Sequence, residues 1–245
     1  MVQVFKATTM SSSASHDPPP VGMSLPNWRP VAVPPREPRR GRYMTLEPLD
    51  ASRHGASLAS LFAAEDPATW TYMGYGPFES PATCLTWLRT IDHGDDPIFL
   101  AVLDSRAREP LGVLSWNRID PANGVIEIAH VVFSSRLKRT RVASEAVIEM
   151  IRWAWELGYR RIEWKCDALN GPSRQAATRF GFVYEGTFRQ AIVVKQRNRD
   201  TAWFSIIDTQ RPRLEKAYEA WLADSNFDEA GRQRSKLNEG GRHEE

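Results

Sequence analysis

Cysteine is nearly absent from this 245-residue chain: Cys84 and Cys166 are its two, too few to staple a fold and set in no Cys/His cluster with zinc-site spacing. A disulfide-built scaffold is excluded, no metal is expected, and a reducing, cytoplasmic setting fits best. Long apolar runs are missing too. No stretch of roughly eighteen apolar residues occurs, and the first twenty residues hold no continuous apolar segment, so neither a membrane partner nor export is expected. Charge of one sign is lacking as well: 32 Lys and Arg stand against 30 Asp and Glu, a net +2 that sets up no general field for nucleic acid. Any basic function must be local.

What the chain does have is proline at one end and polarity at the other. Residues 1–40 read as a proline-rich arm, since Pro18, Pro19, Pro20, Pro34 and Pro35 remove backbone donors and block helix; Leu25, Trp28 and Val31 are the residues suited to dock its later half. Residues 224–245 have almost no apolar residues after Phe227 and read as a polar tail. Between them, residues 41–223 form one domain.

Within that domain the apolar spacing predicts strands over 43–47, 98–103, 111–117, 125–133, 161–166, 182–194 and 201–208. Helices are predicted over 51–64 behind an Asp50 cap, over 81–91, over 142–157 ending at Gly158, and over 172–180 before Gly181. Residues 196–199 are expected to turn the last hairpin. The fold class is α+β: a mixed, mostly antiparallel sheet flanked by helices, with a central strand-helix-strand crossover at 125–166.

Arg136, Lys138, Arg139 and Arg141 crowd the start of the 142–157 helix. That is the wrong end for cations, each misplaced charge costing about 0.3–1 kcal/mol. Glu145 is expected to offset part of this from the first turn. A bound anion would use both the side chains and the unpaired N–H groups of the helix start. The alternative is four side chains fanning into water.

This basic turn and the segments C-terminal to it resemble the Gcn5-related N-acetyltransferases, specifically the branch of ribosomal-protein N-terminal acetyltransferases, over residues 41–208. The family's turn reads Gln/Arg-x-x-Gly-x-Gly/Ala; here it is Lys138-Arg-Thr-Arg-Val-Ala143, with Arg141 where the pattern has Gly. An arginine there implies ordinary dihedrals and a guanidinium contact to phosphate. Asn170-Gly-Pro-Ser173, Gly181-Phe182 and Glu185-Gly186-x-x-Arg189 match the Asn-x-x-Ser, Gly-Phe and Glu-Gly-x-x-Arg run at its own spacing. The resemblance implies a GNAT-like fold and an N-acetyltransferase that moves acetyl from acetyl-coenzyme A to a primary amine by direct attack. It implies that Lys138, Arg139, Thr140, Arg141, Val142 and Ala143 hold the pyrophosphate, that Val131 and Phe133 flank the thioester, and that Asn170 meets the pantetheine. Ser173 is implied to protonate the departing thiolate. An acidic residue that this branch carries after the Arg of that run is replaced by Ile192.

Acetyl transfer needs a base, because an alkylammonium is almost wholly protonated at neutral pH. Glu127, a lone carboxylate in the apolar run Val125-Ile-Glu-Ile-Ala-His-Val131, is the first candidate and His130 the second. The alternatives are an ion pair of Glu127 with Arg118 and a core histidine. In a regular strand 127 and 130 face opposite ways; a bulge would change that. Trp70, Tyr72 and Tyr75 either wall an acceptor pocket or pack as a lid. Cys166 is assigned to packing. A non-catalytic acyl-coenzyme A sensor and an RNA-binding module are the competing functions, though no aromatic RNA-stacking motif accompanies the arginines and no nucleic-acid partner is expected. The acceptor and the oligomeric state are open, a homodimer being one option.

Overall fold

The computed structural model of the chain describes residues 19–238. Residues 1–18, with the export reading, and residues 239–245 lie outside the described residues. The strands are β1 (Arg39–Arg40), β2 (Met44–Pro48), β3 (Ile98–Asp104), β4 (Pro110–Asp120), β5 (Val125–Phe133), β6 (Arg161–Asp167), β7 (Val183–Val194) and β8 (Arg197–Ile207). They form one sheet in the order β1-β2-β3-β4-β5-β6-β8-β7. Neighbours are antiparallel except β5 and β6, which are parallel and joined through helix α3 (Arg141–Glu156).

The central strands are buried on both faces, which is why β3 reads as a continuous apolar run rather than an alternating one. Leu100, Val102, Ile126 and Ile128 pack with α3 and with α5 (Arg211–Leu222). Phe99, Ala101, Leu103, Val113 and Val132 pack on the other face with α1 (Gly55–Ala63) and α2 (Pro81–Ile91). Each fully buried Leu or Ile contributes about 1.5–3 kcal/mol of transfer free energy, so both layers hold the sheet between them.

Several boundaries differ from expectation. Helix α1 starts at Gly55, because Asp50 Oδ1 accepts the Ser52 and Arg53 N–H groups and closes a turn before the helix instead of capping it. The β7–β8 turn is only Lys195-Gln196, both at positive φ (+47° and +60°), so residues expected in the loop belong to β8. Helix α5 was not expected, although Leu214, Tyr218, Trp221 and Leu222 recur at helical spacing and all are buried.

Residues 224–238 do not behave as a polar tail. Phe227 and Leu237 join the α3 core, and Asn226 ties the segment down by donating to the Trp221 and Ser235 carbonyls. Two apolar anchors suffice where a buried amide satisfies the backbone between them. In the proline-rich arm, Trp28 donates its indole N–H to the Ala122 carbonyl and Val31 donates its N–H to the Pro121 carbonyl, while Leu25 stays exposed.

Candidate active site

Strands β5 and β6 pair only from Val125–Arg161 to Glu127–Glu163 and then part. At the same place β5 bulges: Ala129 faces Ser115 and Val132 faces Val113, leaving three steps of β5 opposite two of β4, with His130 at φ +49°. The bulge reverses the alternation. Glu127 and His130 thus share the face that carries Phe99 and Val132, although no hydrogen bond joins them among the described residues. The backbone edge of β5 beyond Glu127 is left without a strand partner on the β6 side.

Glu127 is buried, and its Oε2 lies 2.8 Å from Lys165 Nζ, against 3.9 Å from Arg118 Nε. The expected ion pair therefore has a different principal partner, on the neighbouring parallel strand. Lys165 also lies 3.1 Å from Glu163 Oε2 and 3.9 Å from the centre of the Trp203 ring. Burial pushes the Glu127 carboxyl above the ordinary carboxylate range, and the Lys165 ammonium pulls against that shift. The alternation that carries Lys165 and Glu163 was in the sequence, where it reads equally as a solvated face. Arg161, Glu163, Lys165 and Asp167 alternate with Ile162, Trp164 and Cys166, so one face of β6 is charged.

His130 stacks on Tyr75 and meets Phe99 at a tilt of 43°, and its Nδ1 lies 3.2 Å from the Tyr75 hydroxyl. Burial, and then the charge of Arg199, hold its imidazole below the usual range and favour the neutral ring. The three expected acceptor-wall aromatics separate here. Trp70 is fully buried, edge-on to Phe62, Tyr75 and Phe78, and is core rather than wall. Tyr75 and Tyr72 are half-buried over the parting strands, and Tyr72 donates its hydroxyl to the Leu169 carbonyl. Lys195, at the tip of the β7–β8 hairpin, donates to the carbonyls of Trp70 and Tyr75, closing this side of the cleft.

Helix α3 starts behind Thr140, whose Oγ1 accepts the Ala143 N–H. The backbone N–H groups of Arg139, Arg141 and Val142 have no acceptor among the described residues. The crowded cations are mostly engaged: Arg136 forms a bidentate pair with Glu109, and Lys138 reaches Glu65 and Thr69. The Arg141 guanidinium meets Asp224 and the Tyr43 hydroxyl, with Phe227 beneath it at 3.9 Å. Arg141 lacks positive φ, as expected, but Arg139 takes it (+65°) and its exposed side chain has no partner among the described residues. Glu145 does not offset the helix start. It lies beyond the first turn, buried, and its carboxylate accepts the N–H groups of Arg42, Tyr43 and Met44.

In helix α4 (Gly171–Arg179), Asn170 is the cap, its Oδ1 accepting the Ser173 N–H. Ser173 Oγ accepts the Trp164 indole N–H and lies beside Cys166, whose thiol is pushed up by burial. Glu185 of the Glu-Gly-x-x-Arg run is held by a bidentate pair with Arg161 and by the Ser205 hydroxyl. Among the described residues no group of His, Cys, Asp and Glu is arranged to hold a metal ion, and no helix is long and apolar enough to cross a membrane.

A family profile described as an acetyltransferase (GNAT) domain matches residues 44–183. A GCN5-related N-acetyltransferase from Brucella melitensis has a solved structure that superposes with a TM-score of 0.85 at 46% identity, over 87% of this chain and 97% of that one. A probable acetyltransferase (GNAT family) from Chromobacterium violaceum ATCC 12472 gives a TM-score of 0.74 at 45% identity, over 80% of this chain and all of that one (100%). The ribosomal-protein-serine acetyltransferase of Escherichia coli (strain K12) is 35% identical over 104 residues, 42% of this chain, and the match spans 58% of that relative's length. With the parted strands, the bulge and the capped α3 already in place, these matches establish that the chain belongs to the GNAT acetyltransferase family.

Proposed function

We propose that the protein is an N-acetyltransferase that moves the acetyl group of acetyl-coenzyme A to a primary amine by direct attack. The observation that carries this reading is the parting of β5 from β6 at the bulge, on the stretch of chain that runs into the unpaired N–H groups of α3. Those N–H groups and the Arg139 guanidinium, which has no partner among the described residues, fit a pyrophosphate, and the β5 edge at Val131 and Phe133 fits the amide groups of a pantetheine. The donor supplies an acyl carbon activated by its thioester.

The chain's own residues do the rest. The amine must arrive neutral, and Glu127, with its carboxyl raised by burial, takes the proton through water as the N–C bond forms. His130 is the second acceptor for that proton, with Tyr75 fixing its ring. A backbone N–H of the bulge polarises the carbonyl. As the C–S bond breaks, Ser173, whose Oγ accepts from Trp164 and lies beside Cys166, turns its O–H to the leaving sulfur as a hydrogen-bond donor, and the thiolate takes its proton from the water that carried the amine proton to Glu127. Asn170 acts by positioning Ser173 through the α4 cap.

The test is calorimetric titration of acetyl-coenzyme A into the native chain, then assay of thiol release with a panel of amines for native and Glu127→Gln protein. Binding with release that falls about a hundredfold or more in Glu127→Gln is expected for a lost general base. Binding without release by any amine identifies an acyl-coenzyme A-binding protein instead. No binding overturns the reading.

A further inference from the structure

Arg199 stands apart from every other cation on the acceptor face. Strand β8 alternates regularly against β6, with Trp203 opposite Lys165 and Thr201 opposite Asp167, so Arg199, Thr201 and Trp203 share the face of Glu127 and Lys165. On that face four cations (Arg118, Arg161, Lys165, Arg199) share the surface with four carboxylates (Glu127, Glu163, Glu185, Asp167); the first three cations pair with Glu127, Glu163 and Glu185, while Asp167 accepts the Leu169 N–H and forms no ion pair with Arg199. Arg199 has no carboxylate and no hydrogen bond among the described residues, and its Nε is buried without an acceptor. The Trp203 indole N–H, four residues along the same face, is a second buried donor without an acceptor. The charge of Arg199 is felt at His130 on β5 and at Cys166 on β6, so it lies by the gap between the parted strands.

Arg199 Nε and the Trp203 indole N–H are two of several buried polar atoms without a hydrogen-bond partner among the described residues, and a group that accepts would satisfy both. A guanidinium offers a planar fork that a carboxylate fills with two charge-assisted hydrogen bonds. A neutral pantetheine or acetyl group would leave the positive charge unmatched. Resting on the acetyltransferase reading above, we infer that Arg199 binds a carboxylate of the acceptor, and that the substrate class is amines that also carry a carboxylate. The cleft is closed on its outer side by Lys195 bonding to the Trp70 and Tyr75 carbonyls and by Tyr72 bonding to Leu169, so the pair forms with limited access of water. Free amino acids and acidic peptide N-termini offer this chemistry.

The experiment titrates acceptors into the full-length protein already saturated with coenzyme A, and measures thiol release from acetyl-coenzyme A with the same panel. The panel pairs free amino acids with their amides, and peptides beginning with Asp with peptides beginning with Asn. The proteins are native, Arg199→Gln, Arg199→Lys and, as a control at the exposed hairpin tip, Arg197→Ala. Native protein is expected to favour the carboxylate member of at least one pair by about tenfold to a hundredfold, the range of a charged hydrogen-bonded contact. Arg199→Gln should erase that preference, Arg199→Lys should restore part of it, and Arg197→Ala should keep it. Which pair responds separates the amino acid from the peptide source. Equal binding of acids and amides by native protein, or a loss of coenzyme A affinity in Arg199→Gln, overturns the inference while leaving the transferase reading standing. Failure of native protein to bind acetyl-coenzyme A removes both.

Discussion

Lys165 Nζ sits 2.8 Å from Glu127 Oε2, and both side chains are almost fully removed from solvent. An ammonium at that distance favours the ionised carboxylate, while burial opposes it and prevails. In Lys165→Met the opposition is gone, so the Glu127 carboxyl rises further. The acid limb of the kcat/KM profile should move to higher pH, since the base works only when ionised. Stability should fall by about 3 kcal/mol at neutral pH, because two buried carboxylates lose their common partner. The sign with pH comes from the raised folded value: the folded state binds the proton more tightly than the unfolded one, so the deficit shrinks as pH falls toward the ordinary carboxyl value of 4.5. Urea melts of the two proteins at neutral and acidic pH, with the rate profile, check this; a deficit that grows on acidification would contradict it.

Arg139 and Arg141 should separate cleanly, although they are two residues apart in one basic run. Arg139 is unpartnered among the described residues, and Arg139→Ala should weaken acetyl-coenzyme A binding by roughly threefold to fivefold, more at low salt than at high. Arg141 lies on Phe227 and pairs with Asp224, so Arg141→Ala should leave affinity nearly intact and cost about 1 kcal/mol of stability. Calorimetry at two ionic strengths and a denaturant midpoint for each variant decide the matter; reversed effects would mean that Arg141 leaves Asp224 to meet the ligand.

That separation also marks where sequence reading stops. The helix start, the crossover and the bulge-bearing strand were legible, because apolar periodicity and Gly158 or Gly181 fix local structure with nearest neighbours alone. The partners of three of the four cations were not, since Glu109, Glu65 and Asp224 come from distant stretches that only the folded sheet brings together. Phe227 and Leu237 looked too sparse to order a segment, and a single buried amide, Asn226, made the difference. For the site, Glu127 and His130 stood out as polar residues in an apolar strand. Lys165 and Arg199 sat in strands that alternate in charge like a solvated face, and nothing local distinguishes a solvated face from a buried cleft.

Gly41 and Glu145 form a lock between the start of β2 and the first half of α3. A Cβ on Gly41 would fall 2.6 Å from Glu145 Cδ, inside the carboxylate that holds the N–H groups of Arg42, Tyr43 and Met44. Gly41→Val should displace the carboxylate, and Glu145→Ala should remove it. Both leave backbone donors buried or strained, at about 1–3 kcal/mol for each unsatisfied group. Each variant should lower the urea midpoint, and together they should cost little more than the worse single change, because both break the same contact. Additive losses would show that the two residues act separately.

Lys195 offers the last and most local test of how the acceptor side is closed. Its ammonium donates to the Trp70 carbonyl at 2.9 Å and the Tyr75 carbonyl at 3.3 Å, linking a two-residue hairpin turn to a loop whose one deep anchor is the Trp70 ring. Removing the donor in Lys195→Met leaves Trp70 packed, so the core and the cofactor end are untouched, but Tyr72 and Tyr75 lose the tether that holds them over the cleft. For an exposed charged donor the link contributes about 1 kcal/mol, or roughly a fivefold change in an opening equilibrium. Amides of residues 71–78 should exchange faster by about that factor, the acceptor KM should rise in step, and acetyl-coenzyme A affinity should hold. If exchange in the loop is unchanged while KM rises, Lys195 touches the acceptor itself; if neither moves, the loop is held by its aromatic packing alone.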